Sequence, residues 1–161
     1  MPATVCTEQN KELSVNHIPK DQKRAPDHQL VIPSLLEKLS DVEELTERVA
    51  EQHGIDEDDK DNLAIAITEL TNNAIIHGNR FDHKKNVTIS FYFDNNEVCV
   101  YIKDQGTGFD PTSIENPLNP ENLLKESGRG IFILRSIMDD VQFHVNEFGT
   151  EVKIVKKIKD S

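Results

Sequence analysis

Between Asp56 and Asn79 the sequence carries a long helical repeat whose polar residues stand on the wrong side. Leu63, Ile67, Leu70 and Ala74 recur at spacings of three and four, so at about 100° per residue they form a narrow stripe that must face a core. The acidic cluster Asp56, Glu57, Asp58 and Asp59 suits the start of this helix, where carboxylates meet the positive end of the dipole, and Gly78 with Asn79 supplies the stop. Ile65 and Ile76 form a second apolar flank. Glu69 and Asn73, one turn apart, project together from between that flank and Ala66. Such groups are costly to bury unless something polar or charged meets them.

Two readings of the pair follow. One is a solvated or capping Glu beside a buried Asn whose hydrogen bonds are satisfied within the protein. The other is a chemical site, in which the neutral oxygen of Asn73 is the hard ligand that Mg²⁺ accepts when nucleotide phosphates fill its other positions. Glu69 would then orient or deprotonate a hydroxyl attacking the γ-phosphate. His77, a further turn along, reads as a structural residue or a cation at the helix end rather than a catalytic one.

The helix sits in a chain of 161 residues, 36% hydrophobic, enough for one core but hardly two. Residues 1–27 are polar, nearly lack large apolar side chains and contain Pro2, Pro19 and Pro26, so a flexible leader is expected there. Residues 28–158 form the expected domain, with 159–161 as a tail. No apolar run approaches the roughly 20 residues that span a bilayer, and a cytoplasmic protein without membrane contact is expected. Cys6 and Cys99 make neither a disulfide framework nor a metal-ligand spacing. The net charge is −11, and outside the leader 14 basic residues oppose 25 acidic ones. Such a surface repels a phosphate backbone, so any effect on transcription should pass through a protein partner rather than nucleic acid.

His28 to Pro33 reads as a first strand. Leu35, Leu36, Leu39, Val42, Leu45 and Val49 then mark a helix, with Ser34 as N-cap and Gly54 as stop. Past the second helix, Asn86 to Phe93 and Glu97 to Lys103 are two strands joined by a turn at Asp94, Asn95 and Asn96. A Gly- and Pro-bearing stretch runs on to about Ser127, long enough for a functional lid. A short helix over Ile131 to Met138 and strands near Val141 to Val145 and Thr150 to Ile158 close the chain. Blocks of helices and antiparallel strands predict an α+β fold, a two-layer sandwich with helices on one face of a mixed, largely antiparallel sheet.

Asp104 stands at the end of a strand, before Gly106 and Gly108 in the turn. Any tight turn uses Asp and Gly. The glycines also let a ligand approach the backbone. An ionised carboxylate only accepts hydrogen bonds, so Asp104 matches the exocyclic amine of adenine and not the carbonyl of guanine. Ser127, Gly128, Arg129 and Gly130 sit just before a helix, where free amides and the dipole attract phosphate, although this is neither a P-loop nor a dinucleotide fingerprint. Gly149 and Thr150, entering the last strand, read alone as a turn.

In this order the four elements resemble the boxes of the GHKL nucleotide-binding superfamily: Glu69 to Gly78, Asp104 to Pro111, Ser127 to Ile131, and Gly149-Thr150. Thr68-Glu69 through Gly78, the Gly-Phe-Asp-Pro ending at Pro111, and Ile137 to Val141 are similar to the anti-sigma factor serine kinases in particular. The likeness covers about residues 28 to 158 and implies the histidine-kinase-like, or Bergerat, ATP-binding fold. It implies ATP and Mg²⁺ as cofactors, with Glu69 as general base and Asn73 as the metal ligand. Asp104 would be the adenine reader, with Gly106, Gly108 and Thr150 around it, and Ser127 to Gly130 the phosphate-side lid. It further implies a homodimer that sequesters a sigma factor and phosphorylates a serine or threonine of a small antagonist, or anti-anti-sigma, protein.

One position departs from the pattern. Some family members place an arginine just before the Ser-Gly of the second glycine box, and here that residue is Glu126, with Lys125 and Arg129 beside it. A carboxylate facing phosphates disfavours transfer unless a neighbour compensates. The alternative function is therefore a nucleotide-sensing, non-catalytic module that binds a partner. A detached histidine-kinase catalytic domain ranks behind both, since the chain lacks room for a dimerisation helix pair with its phospho-accepting histidine.

Overall fold

The computed structural model describes residues 24–106 and 130–158, so the leader up to residue 23, the tail 159–161, Cys6 and the stretch 107–129 lie outside the described residues. Five strands form one sheet: β1 (His28–Pro33), β2 (Asn86–Asp94), β3 (Glu97–Lys103), β4 (Asp140–Asn146) and β5 (Gly149–Lys157), in the spatial order β1-β2-β3-β5-β4. Every neighbouring pair is antiparallel. The expected mixed sheet is therefore corrected to a wholly antiparallel one. The helix after residue 129 carries the chain to β4 at the sheet edge, and the hairpin back inserts β5 between β4 and β3, so among the described residues no two parallel strands touch.

Alternation along the strands fixes what faces the helices. Val87, Ile89 and Phe91 of β2, Val98, Val100 and Ile102 of β3, and Val152 and Ile154 of β5 point into one cluster. Each such side chain, fully buried, contributes about 1.5–3 kcal/mol of transfer free energy. The opposite face holds a smaller buried group, Tyr92, Cys99 and Tyr101, with the Tyr rings 5.5 Å apart and edge to face. Against the first face pack α1 (Leu39–Gln52) and α2 (Glu57–Asn73), with Val42, Leu45, Val49, Leu63, Ile67 and Leu70 buried. The predicted stripe of α2 is thus the core stripe. Ile65 is half exposed at 50%, so the expected second apolar flank lies on the surface at that end.

Ser34 does not cap α1. The chain enters through a single 3₁₀ turn, Leu36–Lys38, with extended Leu35 before it and no side-chain cap. Ser34 is instead fully buried, its hydroxyl donating to the Lys85 carbonyl and accepting from Asn79 Nδ2. At the far end Gly54 adopts φ +66°, the left-handed conformation that stops a helix and favours glycine. Asp56 caps α2 by accepting from the Asp59 amide.

The last turn of α2 widens into a π segment, Ala74–Gly78, with the Asn79 amide bonded to the Ala74 carbonyl. Asn79 then ties three elements together. Its Nδ2 donates to Ser34 after β1 and to the Asn86 carbonyl opening β2, and its Oδ1 accepts from the Gln105 amide after β3. At the opposite end of the β1–β2 ladder Asp27 bonds Phe91 and Phe93 through its amide and carboxylate. Among the described residues, no helix is long and apolar enough to cross a membrane.

Candidate functional site

The end of β3, the π turn of α2 and the β4–β5 hairpin converge on Asp104. Its amide continues the β3–β5 ladder by donating to the Thr150 carbonyl, which fixes the backbone. Its side chain is 4% exposed, and Oδ1 accepts from the amides of Gly106 at 3.0 Å and Thr150 at 2.9 Å. Three glycines make this close packing feasible. A Cβ on Gly78 would collide with Asp104 Oδ2, one on Gly106 with the Gly78 carbonyl, and one on Gly149 with the Asp104 carbonyl. Gly149 also needs φ +140°, which side-chain-bearing residues rarely adopt.

Burial pushes the Asp104 carboxyl above its ordinary value, against the Thr150 and Gly106 hydrogen bonds and the Lys85 ammonium, which pull it down. A carboxyl raised on folding favours the protonated fold, so its stabilising contribution is complete below the unfolded value and is lost as pH rises through the folded one. Relative to Asp104→Asn, the wild type should lose unfolding free energy as pH rises above the ordinary carboxylate value of about 4. Denaturant melts of both proteins across that range check this, and a constant difference between them would contradict it.

Glu69 and Asn73 lie on the α2 face leading away from Gly78. Asn73 is 8% exposed and Glu69 is half-buried. At about 1.5 Å per residue, Glu69 stands roughly 13 Å along the helix from the Asp104 cluster, with Asn73 between them. Glu69 opens into a cleft of about 830 Å³ between α1, α2 and α3 (Gly130–Ile137), beside Thr68, Ile133 and Leu134. The donor set suits a metal held mainly by its ligand's phosphates: Asn73 offers one neutral oxygen, and the described residues contain no cluster of three His, Cys, Asp or Glu side chains that could hold an ion alone.

Of the residues expected from the sequence, Asp104, Gly106 and Thr150 form one hydrogen-bonded cluster, and Asn73 and Glu69 follow along α2. Gly130 begins α3. Gly108, Ser127, Gly128 and Arg129 lie outside the described residues. Read from the residues alone, Gly78 and Asn79 are a helix stop and Gly149 a turn, and Gly78 and Gly149 enter the site through the family resemblance. Their contacts with residues far along the chain carry no local signal, apart from small residues standing where a strand or helix ends.

The family profile of the histidine kinase-like ATPase domain matches residues 32–156. Serine-protein kinase RsbW of Staphylococcus epidermidis is 29% identical over 139 residues, covering 80% of this chain and 84% of that protein. Its namesake in Staphylococcus aureus strain RF122 is 30% identical over 137 residues with the same coverage. In solved structures, the RsbU and RsbW domains of Rv1364c from Mycobacterium tuberculosis superpose with a TM-score of 0.59 at 18% identity. That match covers 86% of this chain and 34% of the longer one, and it shows a shared fold.

Proposed function

Because this chain belongs to the histidine kinase-like ATPase family and is related to the serine-protein kinases RsbW, we propose that it is an ATP-binding anti-sigma factor with protein serine/threonine kinase activity. In this reading residues 28–158 are the kinase domain of a cytoplasmic homodimer. It sequesters a sigma factor and phosphorylates a small antagonist protein. The observation that carries the nucleotide assignment is the buried Asp104 carboxylate, a hydrogen-bond acceptor at the meeting point of α2, β3 and β5.

Asp104 accepts from the adenine amine, with the Gly106 and Thr150 backbone beside it. Asn73 would hold Mg²⁺, which would supply positive charge against the phosphates. Gly108 and Ser127 to Gly130 cover the phosphate side. Glu69 takes the proton of the acceptor hydroxyl as its oxygen bonds the γ-phosphorus and the bond from that phosphorus to the ADP oxygen breaks. The placement of Asn73 and then Glu69 along α2, leading away from Asp104 at the end of β3, supports this order, with adenine at the Asp104 end, the phosphates beside Asn73 and the base beyond them. A second reading, a nucleotide-sensing module that transfers nothing, is favoured by Glu126 where some relatives carry arginine.

Calorimetric titration with Mg-ATP and Mg-GTP tests the nucleotide assignment. ATP should bind at least about tenfold tighter, since a guanine carbonyl would face Asp104 as a second acceptor and leave both unpaired. Equal affinity for the two, or normal ATP selectivity in Asp104→Asn, would remove the basis for it. Transfer of labelled γ-phosphate to an antagonist protein from the source organism separates the kinase from the non-catalytic module.

A further inference from the structure

The cleft beside Glu69 has a chemistry of its own. Its floor is apolar, with Ala64 and Ile65 from α2 and Ile133 and Leu134 from α3. Ile65 and Ile133 remain 50% and 41% exposed, and Phe132 next to them is 75% exposed. Its walls are acidic: Glu43 and Glu47 stand one turn apart on α1, facing Glu57 and Asp61 at the start of α2. Among the described lining residues the only cation is Lys60, and it is spoken for by Glu57 at 3.2 Å. That hydrogen bond, opposed by desolvation and helped by the fields of Glu57, Glu47 and Glu51, holds the Lys60 ammonium above its ordinary range.

Apolar floor and acidic walls together specify an occupant with apolar side chains on one side and lysine or arginine flanking them. The stretch between β3 and α3 does not supply it. Residues 107–129 carry four acids, Asp110, Glu115, Glu121 and Glu126, against Lys125 and Arg129. A second copy brings a net charge of −11 to a face that is itself acidic.

We infer that the cleft between α1, α2 and α3 is the docking channel for the acceptor segment of the phosphorylated protein, and that this segment is basic and amphipathic. The inference rests on the kinase reading for the acceptor role of that segment, because the channel ends at Glu69. Apolar side chains of the segment cover Ile65 and Ile133, its cations meet Glu43, Glu47 and Asp61, and its hydroxyl reaches Glu69. Acceptor choice is then set by charge on α1, away from the nucleotide.

The test uses the full chain with Mg-ADP and fluorescein-labelled short peptides, each with a central serine between apolar residues and differing only in carrying lysine, glutamine or glutamate elsewhere. Anisotropy should show the lysine peptide binding roughly tenfold or more tighter than the glutamate peptide at low salt, with the gap closing as salt rises. The double variant Glu43→Lys, Glu47→Lys, altered at two exposed positions, should lose or invert that preference while binding Mg-ATP like the wild type. Equal binding of all three peptides, or an unchanged preference in the double variant, would overturn the channel. So would a change in oligomeric state without a change in peptide preference, which would make this face a contact between copies. Labelled phosphate transfer to the serine, run in parallel, keeps the two ideas apart. Charge-selective binding without transfer defeats the kinase reading and leaves an acidic docking surface for basic segments, whereas transfer without charge selectivity leaves the kinase and removes the channel.

Discussion

Glu69→Gln is expected to bind Mg-ATP about as tightly as the wild type and to transfer phosphate about 10²–10⁴-fold more slowly, the range spanned by loss of a positioned general base. The amide keeps the size of the carboxylate and its reach into the cleft, so the packing of α2 is undisturbed, but it cannot accept the proton of an attacking hydroxyl. Glu69 is half-buried at the mouth of the cleft and outside the Asp104 cluster, so in the proposed arrangement it acts on the attacking hydroxyl rather than on the adenine end of the nucleotide. Asn73→Ala is the contrasting variant. It should lose Mg-dependent nucleotide affinity together with transfer, because a metal ligand acts in the ground state as well as in the transition state. Calorimetry for binding and single-turnover transfer to a cognate antagonist separate the two effects. A Glu69→Gln protein that transfers at the wild-type rate is not missing its base, and the proton would have to go elsewhere.

What could be read in advance divides along a physical line. Elements whose signal is local were legible. The alternation of Val87, Ile89 and Phe91 with Thr88 and Ser90 defines a strand with one core face, and the stripe Leu63, Ile67, Leu70 defines the buried side of α2. Gly54 was legible as a stop because a left-handed φ is a demand of one residue's own backbone. Ser34 misled because a serine before a helical repeat has two uses. Here the buried one prevailed, its hydroxyl joining Lys85 and Asn79 across about 50 and 45 residues of chain, which no spacing rule encodes. Sheet polarity was legible as largely antiparallel, and what the pattern did not carry is the insertion of β5 between β3 and β4, which leaves only antiparallel pairs among the described strands. In the candidate site, Asp104 and Asn73 stood out by residue type and Gly106 by its place in a turn open to a ligand, while the contacts by which Gly78, Gly106 and Gly149 make room for Asp104 carried no local signal.

That role of Gly78 gives the second large effect. In Gly78→Ala the new Cβ would run into the Asp104 carboxylate, which has no slack to retreat because Gly106 and Thr150 hold its other oxygen. Either the carboxylate swings out and gives up those bonds, or the π turn of α2 shifts away from β3. The expected cost in stability is about 1–3 kcal/mol, as for other small-to-large changes in packed sites. Nucleotide affinity should fall further, by about 100-fold or roughly 3 kcal/mol, since a displaced Asp104 can no longer meet the adenine amine. A cycle with Asp104→Ala isolates the contact. Once the carboxylate is gone, the two closest contacts of the Gly78→Ala side chain go with it and the next is the remaining Cβ at 3.1 Å, which a shift of a few tenths of an ångström relieves. Alanine also orders a helical turn better than glycine, by up to about 1 kcal/mol, so in that background the substitution should be close to neutral. Denaturant melts of the four proteins measure this coupling, and nucleotide titrations should find affinity low in all three variants. An equal cost of Gly78→Ala with and without the Asp104 carboxylate would mean that something other than this contact keeps position 78 bare, and Asp104 would lose its claim to be the group around which the site is packed.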